Sequence, residues 1–107
     1  MNAPLSDQNK LFISNKANIR NINEHHAELL FALERNHSVE LDLSGCADAD
    51  LSFLQLIESA RIYARTAAKE LRLSAPVNET IAALLTRAGF LDSPAPEDLR
   101  FWFHQGV

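Results

Sequence analysis

Four histidines, one cysteine, three clustered aspartates and one serine are the side chains whose types and positions could do chemistry. His25, His26, His37 and His104 are the obvious candidates for metal ligands, but none stands at ligand spacing from another histidine or from Cys46. The adjacent pair His25 and His26 project about 100° apart on a helix and cannot readily share an ion. His26 reads as a partly buried helix residue and His25 as a surface one. Cys46 follows a strand, where a nucleophile can sit. No local signature accompanies it, so it reads as a small semi-buried residue, and a single cysteine forms no internal disulfide. Acidic clusters at strand ends can bind magnesium. Asp42, however, alternates with Leu41 and Leu43 and should point away from the face they bury. Asp42, Asp48 and Asp50 are therefore read as solvated or capping carboxylates. Ser52 remains: if Asp50 caps a helix, Ser52 lies in the first turn, where the dipole and free N–H groups would stabilise a phosphate. The same position suits an unmodified serine at a helix start. No nucleophile–base pair and no cofactor motif is found, which argues against an enzyme; neither cofactor nor metal is expected.

These residues are positioned by one stretch, 38–69. Residues 39–43 alternate apolar and acidic side chains, the period of a strand with one side toward a core. Ser44 and Gly45 break it. Asp48-Ala49-Asp50 reads as an acidic turn, with Asp50 as the cap of a helix running to about residue 69. At 100° per residue, Phe53, Leu54, Leu56, Ile57, Ala60, Tyr63, Ala64, Ala67 and Ala68 fall in one broad apolar arc. Leu51, Gln55, Glu58, Ile62 and Arg65 fall on the opposite face. Two large apolar residues on one line beside a helix N-terminus suggest a docking surface.

The flanking chain supplies packing for this unit. Residues 1–9 read as a frayed, flexible N-terminus, 10–14 as a short strand, and 17–19 as a second strand after a turn at Asn15 and Lys16. A helix capped by Asn21 or Asn23 should run to about residue 35, burying Ile22, Leu29, Leu30 and Leu33 with His26 on the same face. Residues 70–74 alternate again. Asn78 can cap a helix burying Ile81, Leu84, Leu85 and Ala88, with Gly89 as its terminator. Pro96-Glu97-Asp98 reads as the first turn of a short helix carrying Leu99, Trp102 and Phe103. Strands separated by single helices favour parallel pairing through right-handed crossovers.

Composition bounds the function. The 107 residues make one domain, and 47% hydrophobic content argues against disorder. Net charge is −4 with Lys and Arg dispersed, which argues against a nucleic-acid surface. Three glycines leave no room for a Gly-rich phosphate loop. No apolar run reaches the length of a membrane span. No basic segment followed by an apolar run opens the chain, so the expected location is the cytoplasm.

The strand, the Asp turn and the helix with Leu54-Gln55-Leu56-Ile57 together resemble the STAS family, the sulphate transporter and anti-sigma factor antagonist domains. The resemblance covers residues 10–91 and includes Leu41-Asp42-Leu43-Ser44-Gly45, Leu71-Arg72-Leu73 and Arg87-Ala88-Gly89-Phe90. Residues 92–107 are then a C-terminal extension with a short helix on the domain. Family members commonly read Asp-Ser-Ser-Gly-Leu or Asp-Thr-Ala-Gly-Leu where this chain reads Asp50-Leu51-Ser52-Phe53-Leu54. Asp50 matches the family Asp, Leu51 falls where phosphorylatable antagonists carry the modified hydroxyl, and Ser52 matches the second position. The resemblance implies an α/β single domain with a mixed, mostly parallel sheet of about four strands. Its first strand would be antiparallel and its helices would pack mainly on one face. It further implies a stand-alone bacterial, non-enzymatic module whose partner is a kinase-type anti-sigma factor, a histidine kinase or other chemotaxis signalling component, or a transporter ATPase. Asp50, Leu51, Ser52, Gln55, Glu58 and Ile62 are the expected contact residues. Two further readings are a phospho-switch modified at Ser52 and a small regulatory subunit of an ABC-type lipid transport ATPase.

Overall fold

The alternation at 38–42 does build a strand at the centre of the molecule. The computed structural model describes residues 10–13, 15–17 and 22–105; the expectations for residues 1–9, for Asn18 and Ile19, and for a cap at Asn21 lie outside these. In chain order the elements are β1 (Lys10–Phe12), β2 (Asn15–Ala17), α1 (Ile22–Arg35), β3 (Ser38–Asp42), β4 (Cys46–Ala49), α2 (Leu51–Thr66), β5 (Glu70–Leu73), α3 (Glu79–Arg87) and α4 (Pro96–Phe103). They form an α/β single domain.

β3 lies between β1 and β5, and both pairings are parallel. Lys10 stands opposite Glu40 and Val39 opposite Leu71. β2 and β4 make a second, two-stranded sheet, also parallel. Every pairing among the described residues is parallel, so the antiparallel first strand and the mixed sheet implied by the STAS resemblance are not what β1 shows. The reason is the connection: β1 reaches β3 by way of α1, and a helical crossover returns the chain in its original direction. The second strand is 15–17 rather than 17–19, and Asn15 and Lys16 lie within it instead of turning. The two crossovers cross the sheet in the same sense, β1 to β3 to β5. With a common hand they put α1 and α2 on one face, where the two helices pack together. Val39, Leu41 and Leu73 are buried on that side.

Asp48-Ala49-Asp50 is not a turn throughout: Asp48 and Ala49 close a strand, β4, that begins at Cys46. The turn ends sooner: Cys46 N–H donates to the Leu43 carbonyl at 3.0 Å, and the chain then runs extended beside β2. The N-terminus of α2 therefore follows β4, one strand later than the end of β3. α2 ends at Thr66, short of residue 69, because Ala68 takes a left-handed conformation (φ 59). Ala68 N–H bonds the Arg65 carbonyl and Lys69 N–H the Ala64 carbonyl, closing a Schellman motif without glycine. Ala67 and Ala68 are exposed and leave the apolar arc, whereas Phe53, Leu54, Leu56, Ile57, Ala60 and Ala64 are buried. Gly89 ends α3 as expected, with φ 81 and the matching bonds to Thr86 and Leu85.

Two readings of helix faces change. On α1 the buried line runs through Leu29 and Leu33; His25 lies half-buried beside Ile22 and His26 is exposed, the reverse of the expected order. On α4 the residues that enter the core are Phe101 and Trp102, their rings edge-to-face at 5.0 Å, with Leu99 and Phe103 half-buried.

Candidate functional site

Asp50 has extended backbone (φ −132, ψ −177), so its side chain reaches the free N–H groups that follow. Its Oδ1 accepts from Ser52 N–H at 3.1 Å, from Phe53 N–H at 3.4 Å and from the Ser52 hydroxyl at 2.5 Å. The cap is thus reinforced by the very hydroxyl that was the candidate phosphosite. Ser52 is half-buried, and a phosphate on it would sit against the Asp50 carboxylate.

Leu51 is 47% exposed and Ile62 is 58% exposed. Gln55 lies between them and is exposed. Ile62 follows Leu51 by eleven helical steps, about 16 Å along the axis. Glu58, predicted for the same face, is half-buried and committed elsewhere: its carboxylate accepts from Arg61 at 2.8 Å. Arg61 also pairs with Asp98 at 3.1 Å and lies over the Phe101 ring at 4.4 Å. Glu58 therefore belongs to the clamp that holds α4 on α2. The structure brings Asp50, Leu51, Ser52, Gln55 and Ile62 together as a surface, and gives Glu58 a packing role at its border.

The other candidates are placed as follows. Asp42 points to the side opposite Leu41, as the alternation requires, and accepts from the Ser44 hydroxyl at 2.6 Å and the Ser44 N–H at 2.9 Å. Asp48 is an exposed strand residue. Cys46 is buried, and burial pushes its thiol above the usual value, which suppresses the thiolate a nucleophile needs. The His104 ring meets the Leu73 carbonyl at 3.1 Å through Nε2; a carbonyl only accepts, so that nitrogen carries the proton. Among the described residues, no three His, Cys, Asp or Glu side chains gather where a metal ion could be held, and no helix is long and apolar enough to cross a membrane.

Two exposed aromatics escaped sequence reasoning. Phe12 and Phe31 are 64% and 56% exposed, beneath Lys10 and Arg35 respectively. Phe31 stands among the apolar positions of α1, and only the packing of that helix shows which are left out.

The fold and the surface define a small parallel α/β domain with a partly apolar helix face beside a capped N-terminus. Set against known protein families, curated proteins and solved structures, the chain finds no match in any of the three.

Proposed function

We propose that this chain is a non-enzymatic protein-interaction module of the STAS type, acting in the bacterial cytoplasm. It docks a regulatory partner of the anti-sigma factor or serine-kinase class, or a chemotaxis signalling component, through the N-terminus of α2 and the outer face that runs from it to Ile62. The observation that supports this reading is the exposure of Leu51 and Ile62 in one line, on a helix whose remaining large apolar side chains are buried or half-buried. Leu51 occupies the position where the resembled family docks its partner and where phosphorylatable members carry a hydroxyl. An apolar contact there is constitutive, since leucine accepts no phosphate.

The test is Leu51→Asp, with Ile62→Asp beside it, assayed for binding to the partner recovered from the native cell. Each is expected to weaken binding at least tenfold, because a carboxylate at the centre of an interface is desolvated on docking. Thermal stability should hardly change: exposed positions tolerate substitution within about 0.5 kcal/mol, against about 2–5 kcal/mol for truncating a buried leucine. Leu51→Asp also adds a negative charge to the first turn of α2, which the dipole favours. Unfolding of Leu51→Asp, or unchanged binding by both variants, overturns the proposal. Binding lost in Ser52→Asp and kept in Ser52→Ala, with phosphate on Ser52 in cells, would replace it by the phospho-switch.

A further inference from the structure

At the far end of α2 from Leu51, a cleft of about 530 Å³ opens between α2, β5 and α4. The chain carries ten Lys and Arg residues and fourteen carboxylates, yet five of the cations line this cleft against only Glu70 and Glu97. Three of the five are committed. Arg61 is held by Glu58 and Asp98, and Arg72 by Glu40 and Glu70. Lys69 donates to the Leu33 and Glu34 carbonyls at the end of α1. Arg65 and Arg100 are exposed and have no ion pair or side-chain hydrogen bond among the described residues.

A cation in a last helical turn is ordinary, because it faces the negative end of the dipole. Here two helices place such a residue on the same cleft. Between them lie apolar groups, Leu71, Leu73 and the Phe101 ring. The edge of β5 contributes as well. Glu70 N–H bonds His37 and Ser74 N–H bonds Leu41, so alternate residues of β5 face β3 and Leu71 directs its N–H outward along the free edge. Of the two carbonyls on that edge, Leu71 and Leu73, the second is taken by His104. Two guanidinium groups unpaired among the described residues, Arg65 and Arg100, and the Leu71 N–H thus border an apolar floor.

We propose that this cleft binds a small organic anion, a carboxylate or phosphate monoester carried on a flat apolar body. Arg65 and Arg100 take the anionic head, each able to present two N–H groups to two oxygens. The apolar body lies on Leu71 and Phe101. The cleft begins where the docking line ends, with Arg65 one turn beyond Ile62 on α2, and this proposal does not rest on the docking reading.

The experiment is titration of the isotopically labelled full chain followed by amide chemical shifts. The probes are phenyl phosphate, benzoate, inorganic phosphate and benzylamine. Phenyl phosphate or benzoate should give saturable shifts at Leu71, Leu73 and the last turns of α2 and α4. Inorganic phosphate should bind at least tenfold more weakly, and benzylamine, with the same ring and opposite charge, should leave these amides unmoved. Arg65→Gln combined with Arg100→Gln should weaken the aromatic anion at least tenfold while keeping a native-like spectrum, since both side chains are exposed. Arg87→Gln, on α3 outside the cleft, should change nothing. Absence of saturable shifts with both aromatic anions, equal binding of inorganic phosphate or benzylamine, or full affinity in the double variant overturns the proposal. If the double variant loses its native spectrum, the single variants decide: a loss in each supports the site, and no loss in either overturns it.

Discussion

Asp42 accepts two hydrogen bonds from one neighbour. The Ser44 hydroxyl first and the Ser44 N–H second hold its carboxyl below the usual carboxylate value; desolvation opposes them, and the charge of Lys10 adds the smallest contribution. A folded pKa below the unfolded one means that the stabilisation is complete above about pH 4 and is lost as pH falls through the folded value. Ser44→Ala removes the stronger bond. Its melting temperature should lie below that of the wild type at pH 6, and the gap should close as pH drops from about 4 toward 2. A gap that stays constant through that range would show that the Asp42 pair is not its cause. Asn78 is a further residue with two duties: its Oδ1 caps α3 by accepting from Ile81 N–H at 2.9 Å, while its Nδ2 donates to the Cys46 carbonyl at 2.9 Å. That second bond fastens the start of α3 to the beginning of β4.

At the scale of elements, helix ends decide most of the geometry, and they divide sharply by how far their chemistry reaches. The caps at Asp50 and Asn78 and the stop at Gly89 were legible because each needs only a residue of the right type within three or four positions. The stop at Ala68 was not, since alanine carries no signal for a left-handed conformation. That makes it a place to gain stability: Ala68→Gly relieves a backbone conformation disfavoured for side chains, offset in part by the greater freedom of glycine in the unfolded chain. The expected gain is about 1 kcal/mol, or a rise of roughly 4–8 °C in melting temperature for a domain of this size. A fall in stability would mean that α2 does not end in this motif. β4 was illegible for another reason. Its four residues carry two alanines and an aspartate, and only the pairing with β2 makes them a strand; Cys46 lies opposite Asn15. The clamp from Arg61 to Asp98 spans still more of the chain. The basic cleft likewise draws on residues from Arg61 to His104, which no local window holds together. On α2 the outward line of Leu51, Gln55 and Ile62 was readable from periodicity alone. The engagement of Glu58 was not, because its partner's position depends on where α4 packs.

Among the described residues, the central sheet is one-sided. Parallel sheets are usually covered on both faces, but here the face of β1, β3 and β5 away from α1 and α2 carries a row of charges. Lys10, Glu40 and Arg72 stand in register across the three strands, with Glu40 paired to Lys10 at 3.7 Å and to Arg72 at 3.1 Å. Each of the two sheets also has one edge supplied by the N-terminal strands, β1 for β3 and β2 for β4. A single cut before α1 therefore bares two strands at once. Unpaired strand edges are templates for pairing with another chain, and β4, left with no partner among the described strands, would be open on both sides. Deletion of residues 1–17 should thus convert a discrete species into one that self-associates, visible as concentration-dependent growth in light scattering with helix content largely retained in circular dichroism. A truncated chain that stays folded and monomeric at every concentration would contradict this. On this view the first two strands act as a guard on both sheets, and a protease that trimmed them would uncover two edges to pairing with another chain.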